Sequence, residues 1–205
     1  MRCNGKLTPE LRAIVSFFFE GFVNAKDSAV YTHSKRVSAW AVQIARKLSL
    51  GDEECEMLRL AGFLHDAGKL ILAEGVLLRA ARLTPQETKV VQTHPEEGYK
   101  LLRKFTQSKI ILSSILEHHE RIDGSGYPHH KTSPSVYGQI MGVADYFTAR
   151  QEPRVYRHSL FLSRGQSYSA TMAQPFEPEV LKAFEQVYLA ECRTPVRNIK
   201  TSRRR

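Results

Sequence analysis

Apolar residues recur three and four positions apart along most of this chain, and no segment shows the strand–helix alternation that a parallel sheet would need. Val37, Ala41, Ile44, Ala45 and Leu48 form one such stripe, which ends at Gly51. Asp52-Glu53-Glu54 then opens a further helix, its acidic first turn suited to the positive end of the helix dipole. Upstream, Thr8-Pro9-Glu10 supplies a capping hydroxyl and a first-turn proline. Leu11, Ile14, Val15, Phe18, Phe19 and Phe22 follow it on one face, so 1–25 is expected to be a helix packed on a bundle. Thr84-Pro85-Gln86-Glu87 has the form of a capping box and predicts a helix running toward His94, with Pro95 beginning the next. A helix is predicted over 108–119, followed by a loop rich in Gly, Ser, Pro and His over 121–135. Helical spacing returns at Ile140, Val143, Ala144 and Phe147, and Glu177-Pro178-Glu179 starts a last helix through Val180, Leu181, Phe184, Val187 and Tyr188. The expected class is all-α.

The chain has 205 residues, of which 42% are hydrophobic and 25% charged, enough for one sizeable core and unlike a disordered or low-complexity protein. Its apolar run over 13–19 is interrupted by Ser16 and closed by Glu20, too short for a membrane span. Met1 to Lys6 lacks the pattern of a signal peptide. Cys3, Cys55 and Cys192 are too scattered for a disulfide framework or a thiolate metal site, so they read as reduced thiols and the expected location is cytoplasmic. Basic residues outnumber acidic ones 30 to 21, giving a net charge of +9, which favours anionic partners. Much of that excess lies in a basic tail over 191–205 that includes Arg193, Arg197, Lys200, Arg203, Arg204 and Arg205. The tail is expected to be disordered and solvated, and nucleic acid is not an expected partner.

The chemistry is concentrated in histidines. His65-Asp66 alone is weak evidence, because the dipeptide is short. Its company is what matters: His33 lies one helix earlier, His94 later, His118-His119 at the end of a helix, and Asp145 on the following one. Each lies in or beside an apolar helical face, where an unpartnered imidazole or carboxylate costs several kcal/mol. Helical bundles build metal centres from side chains on facing helices. Neighbouring residues on a helix project about 100° apart, so Asp66 can bridge two ions while His65 ligates one, and His118-His119 offers ligands to two. Imidazole and carboxylate without thiolate suit iron, manganese or zinc better than magnesium or calcium.

The strings HSKRV at His33, HDAGK at His65, HPEEG at His94, HHERIDGSGYP at His118 and VAD ending at Asp145 resemble the HD-GYP family of cyclic di-GMP phosphodiesterases. The resemblance extends over 26–188 and suggests an HD-type helical bundle with a GYP loop, its domain spanning 26–190. It implies that His33, His65, Asp66, His94, His118, His119 and Asp145 hold two divalent metals, iron or manganese, with Asp66 bridging and catalytic together with Lys69. It further implies that Lys69, Gly126 and Tyr127 approach the substrate phosphates. Pro153-Arg154-Val155-Tyr156-Arg157 is similar to the family's RPYR segment, making Arg154 and Arg157 phosphate clamps. The implied reaction is hydrolysis of cyclic di-GMP to pGpG or GMP by a hydroxide shared between the metals, and the implied protein partners are signalling proteins such as those with GGDEF domains.

The chain also departs from the pattern. Many members carry a metal-supporting glutamate where this sequence has Ala29, so two metals are expected rather than three. Asp27, two residues earlier, is expected to be structural. Thr148 and Gln151-Glu152 stand where the family has an aspartate and a Thr-Ser pair, Val155 replaces a proline, and His129-His130-Lys131 replaces the usual glycine and leucine after GYP. These changes spare the metal shell and bear on substrate affinity. They keep open a receptor that binds the dinucleotide without turnover and an HD phosphohydrolase for another nucleotide. Gly68 reads either as a helix terminator or as a pivot that turns Lys69 toward the site.

Overall fold

The computed structural model describes residues 28–72, 84–151 and 175–193, and among them every regular element is helical. In chain order these are α1 (Ser28–Lys47), α2 (Asp52–Leu64), a 3₁₀ turn (Ala67–Ile71), α3 (Pro85–Val91), α4 (His94–Leu102), α5 (Lys109–Glu117), α6 (Val136–Gln151) and α7 (Pro178–Arg193). The expected helix over 1–25, Asp27, the Arg154 and Arg157 segment, and the tail beyond Arg193 lie outside the described residues.

Local signals account for most helix starts. Thr84 Oγ1 accepts the Glu87 amide at 3.2 Å, while Glu87 Oε2 accepts the Thr84 amide at 2.7 Å, the reciprocal bonds of a capping box. That helix stops at Val91 rather than reaching His94, which instead opens α4 directly ahead of Pro95. Glu54, in the acidic first turn of α2, accepts the Gly51 amide at 2.9 Å and the Tyr137 hydroxyl at 2.6 Å, so one carboxylate caps α2 and ties it to α6.

Helix α6 is the centre of the bundle. It buries Ile140, Met141, Val143, Ala144 and Phe147 together with Gly138, Gln139, Gly142 and Thr148, more than one face's worth, as a helix covered on several sides must. The packed elements α1, α5 and α7 meet it, and α2 packs against both α1 and α5. A main core unites Val37, Ala41 and Ile44 of α1 with Leu58 of α2, Phe147 of α6 and Phe184 of α7. Trp40 meets Phe147 edge-on at 4.6 Å, and Phe147 meets Phe184 at 4.9 Å. A second core joins Leu60 and Leu64 of α2, Ala67 of the 3₁₀ turn, Leu102 of α4, and Ile111 and Ile115 of α5. Leu64 and Ile115 lie immediately or three residues before His65 and His118, so this core holds the helix ends that carry the histidines. Among the described residues, no helix is long and apolar enough to cross a membrane, and neither Cys55 nor Cys192 is in a disulfide.

Gly68 needs correction as a helix terminator. Its backbone does not adopt the left-handed conformation that makes glycine a stop signal. Its role is close approach: an added Cβ would lie 1.9 Å from the His94 carbonyl oxygen and 2.5 Å from the Gly98 amide nitrogen. The missing side chain brings the 3₁₀ turn after Asp66 against the start of α4, and so brings Asp66 to His94.

Candidate metal centre

The structure brings His33, His65, Asp66, His94, His118, His119 and Asp145 into one cluster, although they come from five separate stretches of chain. His33 comes from α1, His65 and Asp66 from the end of α2, and His94 from the start of α4. His118 and His119 follow α5, and Asp145 lies within α6. Two groups of ligand atoms, each within 4.8 Å of one another, stand side by side: His33, His65 and Asp66, and His94, His118 and His119. His118 and His119 thus both join His94. Asp66 connects the groups, its Oδ2 lying 3.4 Å from His65 Nε2 and its Oδ1 3.3 Å from His94 Nε2. It does so from beyond the end of α2, with φ −94° and ψ 7°, rather than from a shared helical turn with His65. Asp145 Oδ1 lies 3.1 Å from His33 Nε2 and 3.9 Å from His65 Nε2.

Three of the imidazoles are aimed by the same local device. His65 Nδ1 donates to the Gly62 carbonyl at 2.9 Å, His94 Nδ1 to the Val91 carbonyl at 2.8 Å, and His118 Nδ1 to the Ile115 carbonyl at 2.7 Å. A carbonyl can only accept, so each Nδ1 is the donor and each Nε2 is left facing the cluster. These carbonyls belong to the last turns of α2, α3 and α5, where the helix offers no amide to bond them.

The electrostatics keep the cluster in its ligating form. Burial pushes His94 down to about 4 and His119 down to about 3. Burial, reinforced by His119, His94 and His65, holds His118 well below the ordinary imidazole range. Burial works the other way on Asp66, but the Lys69 ammonium 2.6 Å away overcomes it and holds the carboxyl well below its usual range. Asp145 is likewise lowered, burial being outweighed chiefly by the hydrogen bond with His33.

Neutral imidazoles and ionised carboxylates at this depth require positive charge. His65 Nε2 and Asp66 Oδ1 are fully buried without a hydrogen-bond partner. His94 Nε2 and His118 Nε2 face each other at 3.2 Å, and because each Nδ1 bonds a backbone carbonyl, the two rings in their neutral form turn lone pairs toward each other. Lone pairs converging in this way are mutually repulsive unless they share a cation. The donor set, nitrogen and carboxylate oxygen without sulfur, fits divalent transition ions.

Around the cluster, Lys69 Nζ donates to Asp66 Oδ2 at 2.6 Å with its side chain 36% exposed, so it reaches from the buried carboxylate to solvent. Tyr127 stacks on His119, with ring centroids 4.5 Å apart and planes at 24°. Gly126 is itself buried, and an added Cβ would lie 2.4 Å from the His119 carbonyl oxygen. Its contact is with backbone, and its effect on the site runs through Tyr127. The expected clamps Arg154 and Arg157 lie outside the described residues, and no side-chain position is described for Ala29.

Sequence reasoning passed over Glu117, Glu120 and Arg121. Glu117 Oε2 accepts the Ser135 amide at 2.7 Å and its Oε1 accepts Lys131 Nζ at 2.5 Å. Glu120 accepts the amides of His129 and Lys131, and Arg121 donates to the carbonyls of His118 and Glu120. The available signal was a dense run of charge, Glu117-His118-His119-Glu120-Arg121, directly after the apolar Ile115-Leu116.

The family described as HD domain matches residues 18–180, most of the chain and all of the cluster. The chain belongs to the HD domain family. A cyclic di-GMP phosphodiesterase of Pseudomonas aeruginosa, PA4108, is 32% identical over 165 residues, covering 79% of this chain and 40% of that protein. The 3'3'-cGAMP-specific phosphodiesterase 3 of Vibrio cholerae is 34% identical over 152 residues, covering 73% of this chain and 33% of its own length. This HD-domain chain therefore spans less than half the length of these curated relatives. Among solved structures, Bd1817, an HDG"Y"P protein from Bdellovibrio bacteriovorus, superposes with a TM-score of 0.58 at 16% identity, covering 88% of this chain and 65% of that one. At that identity the likeness is one of fold, and it agrees with the all-α bundle expected from the sequence.

Proposed function

We propose that this HD domain is a metal-dependent phosphodiesterase that hydrolyses cyclic di-GMP to pGpG, GMP or both. In this reading His33, His65, Asp66, His94, His118, His119 and Asp145 hold two divalent ions, iron or manganese. The observation that carries the proposal is the convergence of buried ligand atoms in one cluster: His65 Nε2 and Asp66 Oδ1 lack a hydrogen-bond partner, and His94 Nε2 and His118 Nε2 face each other at 3.2 Å. The names of the relatives, which include cyclic di-GMP and 3'3'-cGAMP phosphodiesterases, support the substrate class. Partners with GGDEF domains rest on the family resemblance alone.

Phosphodiesters resist hydrolysis because their charge repels nucleophiles and the leaving alkoxide is poor. Divalent ions in such a cluster supply charge neutralisation and lower the pKa of water from 15.7 to about 7. The protein's own groups do the rest. Asp66 offers one oxygen to each half of the cluster, which sets the spacing of the halves. The Nδ1 bonds to backbone hold the imidazole lone pairs inward, so no reorganisation is needed when charge develops. Lys69, half-exposed beside Asp66, can hold a phosphate oxygen at the mouth of the site, and the flat face of Tyr127 orients the dinucleotide over His119. Arg154 and Arg157 belong to the same reading as further phosphate clamps.

Purified protein loaded with manganese or iron should convert cyclic di-GMP to a linear product resolved by chromatography, with 3'3'-cGAMP and mononucleotides assayed alongside. Asp66→Ala should lose both metal and turnover. Undiminished turnover in that variant refutes the assigned centre, and tight cyclic di-GMP binding without product from the unaltered protein would favour a receptor.

A further inference from the structure

The loop that carries Tyr127 is fastened by a buried carboxylate that the metal centre does not use. Glu120 is 1% exposed, and a carboxylate at that depth must be met by donors. Its Oε1 accepts the His129 amide at 2.7 Å and its Oε2 accepts the Lys131 amide at 2.9 Å, both on the far side of Tyr127-Pro128. On the near side, the Tyr127 amide donates to the His119 carbonyl at 3.1 Å. Gly126 is pressed onto the same stretch, an added Cβ lying 2.5 Å from Glu120 Cα and 2.5 Å from the Arg121 amide nitrogen. The loop is thus tied on both sides of Tyr127 to residues 119–121. Arg121 secures that anchor, its Nη1 donating to the carbonyls of His118 at 3.1 Å and Glu120 at 2.7 Å while its guanidinium lies 4.5 Å above the Phe176 ring. Glu117 fastens the loop farther along, at Ser135 and the Lys131 side chain.

We propose that Glu120 is a positioning residue for substrate: by gripping the His129 and Lys131 amides it holds the Tyr127 ring stacked on His119 and so fixes the surface against which the cyclic dinucleotide lies. The inference rests on the phosphodiesterase reading above, in which Tyr127 meets substrate. It assigns Glu120 no contact with metal or phosphate, so its loss acts on substrate capture and leaves the ligands in place.

Glu120→Gln keeps the side chain's size but removes the charge and turns an NH₂ group toward one of the two amides. With manganese-loaded protein, metal content should match the unaltered chain and kcat should stay within about threefold, while KM for cyclic di-GMP rises about tenfold, the scale of one lost charge-assisted bond. Glu120→Asp, which keeps the charge but shortens the reach, should show the same KM-selective pattern to a lesser degree. Combining Glu120→Gln with Tyr127→Ala should be no worse than Tyr127→Ala alone, since one effect runs through the other; independent losses would multiply. Multiplying losses, or metal loss in Glu120→Gln, overturns the proposal. Amide exchange gives a readout that needs no turnover: the peptide over 127–131 should exchange at least about tenfold faster in Glu120→Gln, the loss expected when one such bond closes the amides to water. Unchanged exchange there overturns Glu120's role even if the protein proves active. Faster exchange in a protein that hydrolyses no cyclic dinucleotide would leave the clamp standing and refute the phosphodiesterase reading.

Discussion

Gly68→Ala should disable the site without touching a ligand. The new Cβ would fall 1.9 Å from the His94 carbonyl oxygen and 2.5 Å from the Gly98 amide nitrogen, whereas such contacts essentially never fall below 3.0 Å. Both obstacles are backbone, so no side chain can swing aside, and the 3₁₀ turn must part from α4 by at least 1 Å or so. Overpacking of this kind costs about 1–3 kcal/mol of stability, which a folded bundle of this size can absorb. The larger effect falls on geometry. The turn follows Asp66 and carries Lys69, while α4 begins at His94, so separation opens the 3.3 Å approach of Asp66 Oδ1 to His94 Nε2 that joins the two halves of the cluster. A misplacement of about 1 Å can cost on the order of 100-fold in rate. We therefore expect kcat/KM for cyclic di-GMP to fall about 100-fold, with weaker manganese retention and only a modest drop in thermal midpoint. Gly98→Ala is the milder comparison: its Cβ would meet the Ile115 Cγ2 methyl at 3.0 Å and the Gly68 amide nitrogen at 3.3 Å, so it presses the same crossing far less than Gly68→Ala and should lose much less activity. Full metal content and near-normal turnover in Gly68→Ala would refute the argument that this close approach sets the Asp66–His94 spacing.

Tyr127→Ala should leave metal content unchanged and raise KM for cyclic di-GMP, measured by elemental analysis beside steady-state kinetics; metal loss would show that the loop supports the ligands rather than the substrate. Metal-free protein should weaken as pH falls. An imidazole with an ordinary value near 6.5 accepts a proton in the unfolded chain that folded His94, at about 4, and His119, at about 3, refuse. Stability is therefore whole above about pH 6.5 and is lost as pH falls toward those folded values, by roughly 2 kcal/mol for each histidine at pH 5. Denaturant titration in chelator at pH 7.5 and 5.0 checks this, and equal midpoints would contradict it. Phe147→Ala should cost about 3–5 kcal/mol, because the ring is fully buried where Trp40, Phe184 and Tyr188 meet, and calorimetry of the metal-loaded protein would measure it.

What could be read from the sequence follows from the range of the interactions involved. The Val37, Ala41, Ile44, Ala45 stripe and the Thr84–Glu87 capping box act within a few residues, so both appear in the structure as expected. That the histidines and aspartates would meet was legible because metal chemistry restricts the residue types and because the His118 to Pro128 string is distinctive. Gly68 was misread because a helix-terminating glycine and one that permits a backbone crossing look alike until the partner strand of chain, here His94 to Gly98, is known. Glu117 and Glu120 stayed hidden for a similar reason. Their partners lie 9 to 18 residues away in a loop without periodicity, and nothing local distinguishes an inward carboxylate from a solvated one.

The bonds from His65, His94 and His118 to carbonyls three residues earlier carry a consequence for how such a centre can be rebuilt. Metal-binding histidines are commonly oriented by a carboxylate from elsewhere in the fold, which makes each ligand depend on a remote partner. Here the orienting group is the spare carbonyl of the adjoining helix terminus, so a tetrapeptide at the end of a helix contains both the imidazole and its aim. A centre made from such self-contained units can be transferred to another bundle by grafting helix ends. Its specification then reduces to where those ends meet, and the rings remain correctly turned whether or not an ion has arrived.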